Sequence, residues 1–514
     1  MLGQDHRARH VGAARLSILV VLALAVGACA SSGTKPASTP GTGAPTPASS
    51  TPALGSPPIR IGAVFPLTGN AASLANDELA GVRIAAEFVN ADGGIGGRPI
   101  VLDVKDLPSS QDAPAVMAAL KADGVSVVVG SYSSDLSIPA SQAADSAGLV
   151  YWESGAVADR LTGRGLPLVF RVGASGSNLG ANSASFAASQ LAPRLGRTTS
   201  SLRVAIVSAD DDYARSVADA AAATSTAAGV PIVLRATYNL SYPQWPQLMA
   251  KLAAAHPDVI ILASHIPDGI AFRRAMLTAG LKVGALIGST MAECDPDFAG
   301  ELGADAIGIF ASDRPTGGFQ SSALDPAARA TYARFAAALA ESGVLPSTSG
   351  SQYGTGYGYS YGSGTSTGST ASPGGNGSAA AGASNSPNTA EYAISGPAES
   401  ASAAATEEAL AGFSAAWALF HDVLPAAAAS STLTATAGGN LTATAVAAAA
   451  RSLDLPEGSL PNGAGVRFSA NPATLGQNER AAAVIWQWQA VRSYTFVWPP
   501  TYATGTIGFV PLQR

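Results

Sequence analysis

From Ile59 onward, short β-branched runs alternate with alanine-rich segments of helical length. Short continuous apolar runs suit strands covered on both faces, and the periodic segments between them suit the covering helices. The pattern predicts strands at Ile59–Phe65, Ile100–Lys105, Ser126–Gly130 and Leu149–Trp152, with helices near Leu74–Asn90, Asp112–Ala122 and Leu136–Ala147. After Leu168–Arg171 the rhythm restarts, with strands at Arg203–Ser208, Ile232–Ala236, Val259–Ala263, Ala285–Gly288 and Ala306–Phe310. Strand and helix in strict alternation mean parallel sheets, so the fold class is α/β with two doubly wound units.

A helix at Pro326–Ser342 leads into Gly343–Ser400, which is so rich in Gly, Ser and Ala that it has no side chains from which to build a core. It is expected to be a disordered insertion. Helical patterns resume at Thr406–Leu424 and Thr442–Leu453, and strand-like runs follow at Ala481–Gln489 and Tyr494–Trp498. The insertion therefore interrupts a domain and does not separate two.

The first residues follow a different logic. His6, Arg7, Arg9 and Arg15 precede the apolar run Leu16–Ala25, which reads as an export signal too short for a comfortable transmembrane span. The run ends in Val26-Gly27-Ala28-Cys29, which resembles the bacterial lipobox. That resemblance implies a signal peptide over 1–28 and a diacylglycerol on the Cys29 thiol. It also implies an extracytoplasmic protein anchored to lipid on the outer face of the cell membrane. Residues 29–55, almost wholly Ser, Thr, Pro, Gly and Ala, read as an extended tether. The only other cysteine is Cys294, so no intrachain disulfide is expected.

Composition narrows the function classes. The chain has 514 residues, enough for two or three packed domains, and a net charge of -6. With no basic cluster longer than Arg273-Arg274, nucleic acid is not an expected partner. The five histidines are scattered, and there is no Walker lysine, zinc-ligand spacing or G-x-S-x-G elbow, so no cofactor, metal or catalytic residue is assigned. Gly93-Gly94-Ile95-Gly96-Gly97 invites comparison with a nucleotide loop. A phosphate cradle follows a strand and opens a helix, however, whereas these glycines close a helix and precede a strand.

Several stretches together resemble one family. Ile59–Gly69 is similar to the opening strand and cleft loop of type I periplasmic binding proteins, in the branch that includes the leucine/isoleucine/valine-binding proteins. Gly81–Ile100 resembles that family's first helix and glycine-rich exit turn, and Gly130–Asp135 with Pro139–Ser141 its serine loop. Ser154–Ala156, Phe170-Arg171, Asp212-Tyr213, Gly280-Leu281 and Trp498-Pro499 extend the match over roughly Ile59–Ser342 and Glu407–Pro499. The resemblance implies two Rossmann-like lobes joined by a three-crossing hinge. Lobe one would be Ser56–Arg171 plus Ser312–Pro461, and lobe two Val172–Ala311 plus Asn462 to the end. It also implies a non-enzymatic clamp that delivers a small molecule to an ABC permease served by a separate ATPase subunit. A ligand sensor of the same fold is the alternative. An exported enzyme using Asp135, Glu153 or Asp212 as acid or base is a third.

Ligands of open α/β sheets bind beyond the carboxyl ends of the strands, which directs attention to the loops there. Ser133, Ser134 and Asp135 follow one such strand and suit either an acceptor group on a ligand or simple capping of the next helix. By resemblance, Gly155, Ala156 and Val157 form a second contacting loop, with Val157 in place of a threonine. Tyr213 matches a tyrosine of the facing lobe, and His265 stands where an aromatic stacks on the ligand; each reads equally well as a partly buried packing residue. Thr290 stands where amino-acid-binding members carry a glutamate for the ligand ammonium, and Leu74 where several carry an aromatic. From Thr290 and Val157 the expected ligand lacks an α-ammonium and is neutral or anionic, because a buried ammonium needs a carboxylate partner. Asp135, Glu153 and Glu293 are the substitute carboxylates to watch.

The anchor reading has a direct test. Cys29→Ser removes the only thiol able to take the lipid, so the variant is expected in the soluble fraction or unprocessed. Unchanged membrane retention in a fractionation assay rules the anchor out.

Overall fold

The computed structural model describes residues 57–69, 71–290, 293–294, 296–342, 406–430, 441–491 and 493–513. The expected signal peptide, Cys29, the tether and the insertion at 343–400 lie outside the described residues.

The first sheet is built around β1 (Ile59–Phe65), in which every side chain except Arg60 is buried. Its neighbours are β2 (Ile100–Asp106) and β3 (Val127–Gly130), followed by β4 (Val150–Glu153) and β5 (Val169–Arg171). The order is β2-β1-β3-β4-β5, all parallel. The crossovers are α1 (Ala72–Ala91), α2 (Ala113–Ala122) and α3 (Ser134–Ser146). Gly93, Gly94, Gly96 and Gly97 all have positive φ, and the Gly94 N–H donates to Val89 O, so this run is the turn that closes α1.

Beyond β5 come α4 (Gly176–Phe186), a π-helical turn, and α5 (Ala192–Arg194). The second sheet then builds from β6 (Val204–Ala209), β7 (Ile232–Tyr238), β8 (Val259–Ala263), β9 (Ala285–Ser289) and β10 (Phe310–Asp313). Its helices are α6 (Asp212–Ala227), α7 (Trp245–Ala255), α8 (Ile266–Thr278) and α9 (Pro296–Leu302). β10 starts later than the expected Ala306, because Gly303–Ala306 forms a 3-10 turn and Gly308 has φ +93. Extended backbone is excluded until that glycine is passed.

The chain then returns to the first layer. α10 (Pro326–Glu341) and α11 (Glu407–Trp417) pack beside α1, and α11 continues through a π-helical turn into α12 (Leu424–Ser430), with α13 (Ala443–Ser452) following. The helix Glu407–Ala429 is long and apolar enough to cross a membrane, but it is mostly buried in the protein, as befits a core helix. A small ladder joins β11 (Asp454–Leu455) to β12 (Val466–Arg467). Just beyond it, Phe468 packs on Trp152 and Phe170 of the first sheet, with centroids 5.3 and 5.1 Å away. Residues 462–478 thus stay with the first layer, whereas the sequence reading put the last crossing at Asn462. The crossing comes before β13 (Val484–Ala490), which joins β10 antiparallel and pairs with β14 (Ser493–Trp498). The second sheet has the order β14-β13-β10-β9-β8-β6-β7. Two α/β lobes connected by three passages are the result.

Helices meet through glycine where backbones approach most closely. A Cβ on Gly81 of α1 would lie 2.1 Å from Ala409 O, and one on Gly180 of α4 would lie 2.1 Å from Val217 O. Alanine improves helix propensity by about 1 kcal/mol. The obstacle here is backbone, which no side-chain rotation relieves, so the helix pair must separate and its layer loosens. Gly180→Ala is therefore expected to cost about 1–3 kcal/mol net, read as a lower urea midpoint. An unchanged or higher midpoint contradicts this packing.

Candidate functional site

Parallel strands place all their following loops on one side of a sheet, and here the two sheets present those sides to each other. Between them lies a cavity of about 460 Å³. The loops after β1, β2, β3, β4, β6, β7, β8, β9 and β10 line it, together with the start of α11. All the loop residues singled out in the sequence face this space: Ser133, Ser134, Asp135, Gly155, Ala156, Val157, Tyr213, His265 and Thr290. Leu74 does not: it is in the first turn of α1 and is buried in the core.

Ser133 occupies the N-cap position of α3, yet its hydroxyl makes no capping bond. The capping role weighed for it is thus not the one its side chain plays. Ser134 Oγ accepts the Ala158 N–H at 3.1 Å and pins the loop after β4 to α3. Within that loop the N–H groups of Gly155 and Ala156 both donate to Glu153 Oε1, at 2.8 and 2.7 Å. Across the cavity, Tyr213 donates its hydroxyl to Ser264 O at 2.9 Å, and its ring meets His265 edge-on at 5.0 Å. His265 Nε2 lies 3.1 Å from Asp211 Oδ2. Thr290 has φ +74 and is held by its N–H to Ser312 O at 2.7 Å.

The sequence reading missed most of the charge. Asp211, Asp268, Arg314, Glu407 and Glu408 also line the cavity. Asp211 follows β6 as the N-cap of α6, accepting the Ala214 N–H at 2.7 Å, so the strand-end rule had the means to find it. Arg314 was hidden by placing β10 too early. Glu407 and Glu408 follow the insertion and carry no local signal at all. Their presence removes the premise for a ligand without a cation: the cavity has carboxylates, at positions other than Thr290. Of the three substitutes named from sequence, Asp135 lines the cavity, while Glu153 and Glu293 are buried behind its wall.

Burial and charge set the protonation of these groups. For His265, burial works against the imidazolium, but Asp211, Asp268 and Asp135 outweigh it and raise the pKa. Burial also opposes the Asp211 carboxylate, yet His265 and the Ala214 N–H bring its pKa below the usual value. Asp135 is pushed up by burial and by Asp211, and Asp268 mainly by burial. Beneath the cavity floor, Arg314 pairs with Glu407, lies 3.8 Å from Asp313 and donates to Gly155 O at 2.5 Å. Burial disfavours its charge, but Glu407, Asp313 and Glu78 hold the guanidinium firmly protonated. Glu407 is pushed up by burial to about 7. Glu78, bonded to the Ser154 hydroxyl, is pushed up by burial and by Glu153 to about 8. Cys294, Asp313 and Glu407 bring possible metal-ligand atoms within 4.8 Å of one another. The Arg314 guanidinium already serves both carboxylates, so a metal ion there would meet like charge.

A cavity walled by strand-end loops from two parallel-sheet lobes, with three passages of chain between them, defines a two-lobed binding protein. The chain belongs to the periplasmic binding protein family, whose model matches residues 58–359. It is 32% identical over 257 residues to the "Leu/Ile/Val-binding protein homolog 8" of Brucella abortus (strain 2308), a match covering 50% of this chain and 64% of that protein. Among solved structures it resembles an ABC transporter substrate-binding protein from Desulfitobacterium hafniense in complex with Leu. That match has a TM-score of 0.58 and 22% identity, over 85% of this chain and 99% of the other. A solute-binding protein of an ABC transporter from R. palustris, in complex with 4-hydroxybenzoate, aligns with a TM-score of 0.57 and 16% identity, over 84% and 92% of the two chains. These two structural likenesses bear on the fold.

The buried acids predict an unusual pH dependence. The Glu78 pKa of about 8 lies above its ordinary 4.5, so the folded protein keeps a proton that the unfolded chain releases. The stabilisation this gives is complete below about 4.5 and is lost as pH rises through about 8. Glu407 acts in the same sense up to about 7. The melting temperature is therefore expected to fall between pH 5 and pH 8, by an amount equivalent to a few kcal/mol, on the order of 1.4 kcal/mol per pK unit. Glu78→Gln keeps the acceptor for Ser154 and should flatten part of that slope, leaving the share that Glu407 contributes. A slope unchanged in this variant shows Glu78 to be ionised throughout.

Proposed function

We propose that this chain is the extracytoplasmic substrate-binding lipoprotein of an ABC-type importer. It holds a small molecule between its lobes, passes it to a membrane permease, and leaves ATP hydrolysis to a separate subunit. The observation that carries this reading is the cavity itself, since neither lobe alone supplies its wall. Ser133, Ser134, Asp135 and Gly155–Val157 meet the ligand from one lobe, and Tyr213, His265 and Thr290 from the other. Cys29 ties the protein to the membrane. The Leu/Ile/Val-binding name of the Brucella relatives supports a transport role.

Closure in this scheme is driven by the ligand. At the rim, Arg160 pairs with Asp212 at 2.8 Å and the Asp159 N–H donates to Ser216 Oγ at 3.0 Å. An exposed pair such as the first contributes about 0–1 kcal/mol. That is too little to hold the lobes shut, so differential affinity for the closed state must do so. Arg160→Ala should accordingly weaken ligand binding by no more than about fivefold.

The protein purified from its native membrane is expected to retain a small molecule, identifiable by mass spectrometry after denaturation. Returning that compound should contract the particle in solution scattering, and loss of the gene should stop its uptake. Chemical turnover of the compound points to an enzyme. Uptake that continues while a cellular response is lost points to a sensor.

A further inference from the structure

The charge of the cavity walls is lopsided. Asp135, Asp211, Asp268, Glu407 and Glu408 face it, against His265 and Arg314. Both cations already have carboxylate partners, His265 in Asp211 and Arg314 in Glu407. The Asp135 carboxyl group makes no hydrogen bond with the described residues, and its charge interactions are with His265, Asp211 and Asp212. Neither cation is left over for an anionic ligand group.

Two backbone donors of the loop after β4 are spoken for as well. The N–H groups of Gly155 and Ala156, the pair best placed to hold a carboxylate, are filled by Glu153 Oε1. Glu153 is fully buried, so a ligand carboxylate displacing it would strand a carboxyl group away from water. The same loop turns its Gly155 carbonyl to Arg314, and Ser134 Oγ is engaged by Ala158. Thr68, Ser133 and Thr290 add hydroxyl groups, and much of the remaining wall is apolar or aromatic, with Tyr132, Leu136, Val157, Tyr213 and Leu240. Such walls suit a hydrocarbon body, and the tyrosine rings suit a cation.

Resting on the clamp reading above, we infer that the ligand carries a cation and no carboxylate, as an amine or amidinium on an apolar body. An α-amino acid brings a carboxylate for which this cavity has no unpaired cation, only neutral donors such as the Ser133 hydroxyl. A simple acid brings only the disfavoured half. An amine meets Asp135 and its neighbours in charge-assisted hydrogen bonds.

Matched compounds separate these classes. The full chain is titrated calorimetrically with 3-methylbutylamine, leucine and 4-methylpentanoate, then with 2-phenylethylamine, phenylalanine and 3-phenylpropanoate. Each set keeps one hydrocarbon body and changes only the charged groups. At least one amine is expected to bind about tenfold or more tightly than its amino acid, with no detectable heat from the acids. Asp135→Asn should weaken that amine about tenfold and leave the melting temperature of the empty protein unchanged. Tighter binding of an amino acid or an acid overturns the inference while leaving the clamp reading intact, and so does the absence of binding by both amines. Amine binding that survives both Asp135→Asn and Ser133→Trp, which blocks the cavity, lies elsewhere and overturns both.

Discussion

Arg314 is the contact on which the site depends. Its guanidinium is buried under the cavity floor and reaches three separate parts of the chain: Asp313 at the end of β10, the carbonyls after β4, and Glu407 at the start of α11. A buried cation is tolerable only when its hydrogen bonds are filled and its charge is matched. Those requirements hold the start of α11 against the end of β10 and tie the loop after β4 to both. Without them, Glu407 and Asp313 would be buried anions in each other's company.

Arg171 plays a related part at the passages between lobes. It is fully buried, and burial brings its pKa down to about 10. It donates to Ala158 O at 2.7 Å and to Gln477 Oε1 at 2.6 Å. One side chain therefore links the cavity loop to the last passage, where Asn478 Nδ2 donates to Val172 O at 2.9 Å. The passage between the lobes and the cavity loop are thus tied together by the same hydrogen bonds. The two arginines and the carboxyl groups of Glu78, Glu153, Asp313 and Glu407 form a network with more acid than base. The surplus is met by protonation, which is why Glu78 and Glu407 are pushed upward.

The same surplus shapes the cavity above. Glu153 folds back to satisfy two backbone donors, and Asp211 charges His265. Each of these bonds occupies a polar group of the cavity wall. Beside apolar surface and the Ser133 hydroxyl, the Asp135 carboxyl is left facing the cavity, and the inference of a cationic ligand builds on that imbalance.

The alternation of β-branched and alanine-rich segments determined the α/β class and placed nearly every strand within a few residues. Both signals are local: a strand buried on two faces has to be apolar along its length, and a glycine at positive φ stops it. The strand-end rule pointed to Ser133–Asp135 and the family resemblance to Gly155–Val157, Tyr213, His265 and Thr290; all of them line one cavity, because parallel strands gather their exits on one side. The charge of that cavity was decided only by the tertiary structure. Glu407 lies far beyond Arg314 in the chain, across the insertion, and nothing in either neighbourhood announces the partner. Whether Gly155 and Ala156 offer their N–H groups outward or spend them on Glu153 depends on a buried side chain seeking donors. Such pairings are settled by which polar groups are shut away from water together, and that is known only once the lobes have packed.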